Sequence, residues 1–236
     1  MRPPPTTINA TKLMREWQAA TTATALVEFA ASLGLSAVAL TAVGAAWAAP
    51  HSAWAFPMCD GHGNVVGIRL RNEHCKFAVR GSRQGIFLCT CERFAPAVAQ
   101  AVANQASESS QPTDSGRLSA VVSANGSQSR TLFVCEGPTD TAAAVELGLF
   151  AVGRPNCCCG GSEIKIYARR LAVARVVIVS DNDKPGLDGA KKVGGELKLP
   201  FAIYVPPAKD LREFVRLGGT RAMIENTLKG TVWQNG

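Results

Sequence analysis

Residues 133–149 read FVCEGPTDTAAAVELGL and residues 176–193 read VVIVSDNDKPGLDGAKKV. Each begins as an unbroken apolar run, turns acidic at its end, at Glu136-Gly137 and at Asp181-Asn182-Asp183, and continues into a helical pattern. Unbroken apolar runs of this length suit strands covered on both faces, and strands alternating with helices predict a mostly parallel sheet. The reading extends over the rest of the second half. It predicts strands Thr131 to Cys135, Arg175 to Val179 and Phe201 to Val205. It predicts helices Thr139 to Leu147, Glu163 to Leu171 and Leu187 to Leu197, with further helices from Leu211 and Thr220. In a parallel sheet the carboxyl ends of the strands share one edge, where ligands bind, so Glu136, Asp181 and Asp183 are expected to converge. Carboxylates without matching cations repel one another. Hard oxygen donors of this kind suit Mg²⁺ or Mn²⁺, which are commonly held by one or two carboxylates plus substrate phosphates. Gly137 would let a substrate approach the backbone. Asp140 either caps the next helix or serves as an outer group of the cluster. Lys209-Asp210, after the strand FAIYV, supplies a third acidic strand end with a cation beside it, although Asp210 also stands where a helix N-cap is wanted.

The first half has a different texture. Short strands are expected at Ala53 to Met58, Asn64 to Arg71, Lys76 to Arg80 and Gly85 to Cys89, with hairpin turns at Asp60-Gly61-His62-Gly63 and Arg71-Asn72-Glu73-His74. That is a small antiparallel unit. Arg69, Arg71, Lys76, Arg80 and Arg83 put five cations within fifteen residues, either a grip on phosphates or a solvated strand face. Alternation aims Arg69 and Arg71 to the same side, which favours a patch. Ahead of the strands, residues 1–32 read as a partly helical extension, and Ser36 caps a short helix from Ala37 to Val43. Residues 104–130, NQASESSQPTDSGRLSAVVSANGSQSR, form a flexible linker dividing the unit at 33–103 from the one at 131–236.

With 236 residues, 47% hydrophobic and 18% charged, the chain can bury a core, and composition excludes disorder over its whole length. The formal charge of +7 favours a polyanionic partner. Its eight cysteines are expected to be reduced. One C-x-C pair and the run Cys157, Cys158, Cys159 lack the paired spacing of a zinc site, so no structural zinc is expected. The stretch Ala30 to Pro50 imitates a signal peptide, yet its long polar lead-in and its Ala, Ser, Thr and Gly content point instead to a cytoplasmic protein that does not engage a membrane.

The two acidic motifs together resemble the Toprim domain, whose signature is a strand ending in Glu-Gly and a later strand ending in Asp-x-Asp. Glu136-Gly137-x-x-Asp140, Gly153-Arg154-Pro155, Asp181-Asn182-Asp183, Pro185-Gly186 and Lys209-Asp210 look most like the primase branch found in phages and plasmids. AFPMCDGHGNVVGIRLR and VRGSRQGIF, in the first half, resemble the small α+β subdomain that precedes Toprim in such primases. The resemblance implies a Toprim α/β domain, a mostly parallel sheet flanked by helices, behind an α+β subdomain with antiparallel strands. It implies primer synthesis by Mg²⁺- or Mn²⁺-dependent nucleotidyl transfer. Glu136 would be a metal ligand or acid/base group and Asp181 and Asp183 metal ligands. Asp210 would be a further metal group, with Gly137, Asp140 and Lys209 in support. Arg69, Arg71, Lys76, Arg80 and Arg83 would hold nucleotide or DNA. The partners implied are single-stranded DNA, ribonucleoside triphosphates and a separate replicative helicase. Two departures stand out: nothing before Cys59 could build the usual zinc-binding module, and no G-x-x-x-x-G-K-[ST] loop is present. The rivals are a Toprim nuclease using the same carboxylates and a replication accessory protein that binds nucleic acid without turnover. A topoisomerase is disfavoured, since neither Tyr167 nor Tyr204 lies in a separate cleavage domain.

Overall fold

The structure, a computed structural model, describes residues 8–89, 131–157 and 159–236. The expected linker at 104–130 and Cys158 lie outside the described residues.

Two short helices open the described chain, α1 (Ala10–Ala20) and α2 (Ala23–Leu33). Asn9 and Thr22 start them by accepting the backbone N–H of Lys12 and Ala25, which satisfies one orphan donor at each N-terminus. Gly34, in the left-handed conformation, ends α2. After α3 (Ala37–Ala42) the chain forms β1 (Ala46–Ala48), β2 (Ala53–Cys59), β3 (Val65–Arg71) and β4 (Lys76–Ala78), a four-stranded antiparallel sheet in that order. Both expected hairpins are present. Period-two alternation splits the sheet into two faces. Ala46, Ala48, Ala53, Ala55, Ile68 and Leu70 pack with Ala10 and Met14 of α1. Phe56 and Met58 turn the other way into a larger core. β1 was not expected: three residues in an alanine-rich stretch carry no strand pattern, and pairing with Ala53–Ala55 of β2 holds them.

The second sheet has five strands in the order β5-β7-β6-β8-β9. They are β5 (Phe87–Leu88), β6 (Thr131–Glu136), β7 (Ala151–Arg154), β8 (Arg175–Val179) and β9 (Phe201–Tyr204). All pairings are parallel except β5 with β7. The helices that follow these strands are α4 (Gly137–Glu146), α5 (Gly161–Arg170), α6 (Lys184–Leu197), α7 (Leu211–Arg216) and α8 (Arg221–Leu228).

Alternate residues of β6 and β8 fall into different cores. Leu132, Val134, Val176 and Ile178 meet Ile164 and Ala168 of α5 and Ala190, Val193 and Leu197 of α6. Phe133, Cys135, Val177 and Val179 meet Ala142–Ala144 of α4, Phe214 of α7, and Leu40, Phe56 and Met58 from the first half. The unbroken apolar runs are thus strands buried on both faces, as their sequence predicts, and the second of these cores joins the two halves.

The strand expected at Gly85 to Cys89 is a correction. It is only Phe87–Leu88 and belongs to the second sheet, antiparallel to Val152 and Gly153, with an isolated bridge from Ile86 back to Cys59. Partner choice across about sixty residues depends on the assembled core, which local pattern does not encode. β7 was also missed, because AVGR contains a glycine and an arginine and reads as no strand.

Candidate active site

The sheet reverses direction at β6: the chain steps from β6 to β7 on one side, then to β8 on the other. A crevice opens at such a switch point outside the carboxyl ends of the strands. Glu136 ends β6, Asp181 and Asp183 follow β8, and Asp210 follows β9, so the strand-end carboxylates share this edge. The loops that carry them are tied together. The backbone N–H of Ser180 donates to the carbonyl of Tyr204 at 3.0 Å, and that of Asn182 donates to the carbonyl of Lys209 at 3.0 Å. Lys209 therefore contributes through its main chain.

Each carboxylate has its own support. Asp183 caps α6, accepting from the backbone N–H of Gly186 at 2.7 Å. A Cβ on Gly186 would lie 2.8 Å from the Asp181 carbonyl oxygen, so only glycine lets α6 start this close to the loop. Asp210 caps α7, accepting from the backbone N–H of Glu213 at 2.7 Å, and its second oxygen lies 3.5 Å from the Arg212 guanidinium. Asp140, 9% exposed on α4, accepts from the backbone N–H of Arg212 at 3.0 Å. Gly137 has φ +79° and open space where a Cβ would be, a conformation that favours glycine at the start of α4.

Glu136 is held differently. Its Oε2 lies 3.6 Å from Nη2 of Arg154, its register partner on β7. Arg154 is fully buried, and its Nη1 donates to the carbonyl of Cys157 at 2.6 Å. Nε and Nη2 of Arg154 and Oε2 of Glu136 are buried without a hydrogen-bond partner among the described residues.

The electrostatics record the crowding. Burial, then the charges of Glu136, Asp210 and Asp183, push the Asp181 carboxyl up to about 6, and Lys76 opposes them. Burial, then Asp210, push Asp140 up to about 7, with Asp181 adding to the rise. Among the described residues no group of three or more His, Cys, Asp or Glu is assembled that could hold a metal ion by itself. The donor set nonetheless fits a hard divalent cation: the charges of Glu136, Asp210 and Asp183 raise Asp181, and one buried carboxylate oxygen, Glu136 Oε2, accepts no hydrogen bond among the described residues. One or two such carboxylates plus substrate phosphates complete a Mg²⁺ shell.

Cations from the antiparallel sheet face this edge. Arg71 donates to Thr139 Oγ1 at 2.9 Å. Burial, then the nearby Arg212, lower the Arg71 pKa, while Asp140 and Asp210 raise it. Lys76, the register partner of Arg71, is close enough to pull Asp181 down. Arg69 shares the Arg71 face, with a buried Nε that lacks a hydrogen-bond partner among the described residues, and burial lowers its pKa. Arg80 and Arg83 lie instead on the exposed loop after β4. Thr139 and Arg212 were missed by sequence reasoning, and Arg154 was noticed only within a motif; an arginine closing the apolar run Ala151-Val152-Gly153 was the available signal.

No protein-family model matches the chain. Gene 57 protein of Mycobacterium phage D29 is 31% identical over 99 residues, which are 41% of this chain and 62% of that protein. The chain thus spans less than two thirds of that curated relative. The DnaG primase catalytic domain bound to single-stranded DNA superposes with a TM-score of 0.60 at 16% identity, covering 95% of this chain and 78% of that one. The primase fragment of the bacteriophage T7 primase-helicase gives 0.52 at 18% identity, over 83% and 71% of the two chains. Residues 8–89, 131–157 and 159–236, an antiparallel four-stranded sheet followed by a mostly parallel sheet with helices, therefore have the fold of the DnaG-type primase catalytic core.

Proposed function

We propose that the protein is a primase-like nucleotidyltransferase that makes short RNA primers on single-stranded DNA with Mg²⁺ or Mn²⁺. The observation that carries this reading is the facing of two opposite charge sets: Arg71 of the antiparallel sheet is hydrogen-bonded to Thr139 beside Asp140 at the carboxylate edge, and the charge of Lys76, next to it in the sheet, is felt at Asp181. Polyanion and divalent cation would meet between them. A fold shared with a DnaG domain bound to single-stranded DNA supports the choice of polymer.

Glu136, Asp181 and Asp183 would hold the cation, with Asp210 nearby, and a bound cation supplies charge neutralisation at the transferring phosphate and eases deprotonation of the attacking hydroxyl. Arg71 and Lys76 would hold triphosphate or template oxygens, and Arg69 extends the same face. Asp140 sets Arg212 in place through its backbone hydrogen bond, and Asp210 holds α7 at the site. Gly137 leaves room for a substrate to approach the backbone. Arg80 and Arg83, exposed beyond the β4 edge, would meet template farther out. A separate replicative helicase completes the set of partners.

The test is one gel: protein, single-stranded DNA, labelled ribonucleotides and Mg²⁺, beside Asp181→Ala and Asp183→Ala, with a labelled-DNA lane. Short RNA that falls about a hundredfold or more in both variants is expected, since losing a metal ligand removes several kcal/mol of transition-state stabilisation. Cut DNA without RNA would replace this reading with the nuclease, and binding without either product with the accessory role.

A further inference from the structure

Arg154 has no part in the function proposed above, yet it is the largest fully buried side chain described, and it ends the strand beside Glu136. With no exposure it cannot touch a substrate. A buried guanidinium normally spends its N–H groups on carboxylate or carbonyl oxygens, often in a bidentate fork. This one spends only Nη1, on the Cys157 carbonyl. Nη2 stops 3.6 Å from Glu136 Oε2, within ion-pair but beyond hydrogen-bonding distance, and neither atom has a hydrogen-bond partner among the described residues.

We propose that Arg154 is a positioning residue that holds Glu136 by charge alone and thereby weakens the grip of the carboxylate edge on a divalent cation. The inference rests on the metal-dependent reading of Glu136 given above. A fork-to-fork hydrogen-bonded pair would consume both carboxylate oxygens. At 3.6 Å the attraction still orients the side chain, while no hydrogen bond claims the lone pairs of Oε2. The Glu136 side chain is 26% exposed although Oε2 is buried, so its remaining atoms meet the open edge. The anchor on Cys157 and the register with β7 keep the guanidinium from following Glu136 outward. A cation fixed behind a ligand competes with the metal for the same negative charge.

The sign of that competition makes the test. Mn²⁺ is titrated into the full chain with a fixed amount of a short single-stranded DNA, which supplies phosphate oxygens, and free ion is read by electron paramagnetic resonance against a DNA-only control for wild type, Arg154→Met, Arg154→Lys, Glu136→Gln and the double variant Glu136→Gln/Arg154→Met. Each sample is checked for fold by circular dichroism. Arg154→Met is expected to bind Mn²⁺ about three- to tenfold more tightly than wild type, Arg154→Lys close to wild type, and the double variant no more tightly than Glu136→Gln. A purely structural role loosens binding or leaves it unchanged, and either result in folded Arg154→Met overturns the proposal while leaving the metal site standing. Arg154→Gln, which keeps an amide donor for the Cys157 carbonyl, is measured alongside with the same expectation, so a fold defect in one variant does not decide the outcome. Absence of Mn²⁺ binding to wild type, or binding indifferent to Glu136→Gln, overturns the metal reading itself and this inference with it.

Discussion

The two ends of the carboxylate edge are built on opposite plans. At the β9 end, Asp210 and Asp140 are consumed by structure: one caps α7 and approaches Arg212, the other accepts the Arg212 backbone N–H. At the β6 end, Glu136 faces a buried guanidinium across a gap, and no hydrogen bond reaches its Oε2 among the described residues. Acids of one type on one edge therefore do different work. Asp210 and Asp140 accept backbone N–H groups of the α7 segment, whereas among the described residues Glu136 Oε2 accepts no hydrogen bond and faces only the Arg154 charge. The difference teaches that position at a strand end identifies a candidate carboxylate, while the hydrogen bonds around it decide its role.

Arg154→Ala is the severest way to break that contrast. It leaves a cavity, removes the hydrogen bond to the Cys157 carbonyl and strips Glu136 of its counter-charge, and removing one partner of a buried pair costs about 3–5 kcal/mol. Urea denaturation, with unchanged slope, should report a loss of this size; a loss under about 1 kcal/mol would show the pair to be incidental.

A second prediction uses pH. Asp140 has a folded-state pKa raised from 3.8 to about 7, chiefly by burial and then by Asp210. The folded state therefore takes up this proton more readily than the unfolded chain. The resulting stability is fully present below about pH 4 and is lost as pH rises through about 7. Wild type should lose about 3–4 kcal/mol relative to Asp140→Asn between those limits, in metal-free buffer. Parallel stability curves for the two proteins across that range would contradict the assignment.

The mildest change, Asp210→Ala, sharpens the comparison from the satisfied end. Losing the α7 cap should cost about 1 kcal/mol in a thermal melt. It also removes a charge that lifts Asp140, so the pH window just described should move downward. A melt unchanged within error would show that this cap does not hold α7.

Much of this arrangement was legible beforehand. LFVC and VVIV declared strands buried on both faces because each of these runs is apolar throughout, and the acids that closed them had one shared edge to occupy. Arg69 and Arg71 were assigned to one side by alternation, and the two share a face in the sheet. β7 was not legible, because its glycine and arginine obey contacts with its neighbours instead of a strand preference. Nor was the destination of Phe87–Leu88, which pairs with β7 far along the chain. Thr139 and Arg212 looked like ordinary helix residues, and only the approach of Arg71 and Asp140 gives them a place in the site.

The sequence by itself determined the local matters: where apolar periodicity makes strands and helices, which residues cap them, and which acids fall at strand ends. Each depends on neighbours a few residues apart, and hydrophobic pattern and capping chemistry act over that range. Tertiary structure alone decided that the cationic face of one sheet meets the acidic edge of the other, and that a buried arginine stands 3.6 Å behind Glu136. Those relations join residues far apart in the chain. They exist only once burial of the shared core has overcome the entropy of bringing the segments together, and charge at such distances is set by the assembled surroundings.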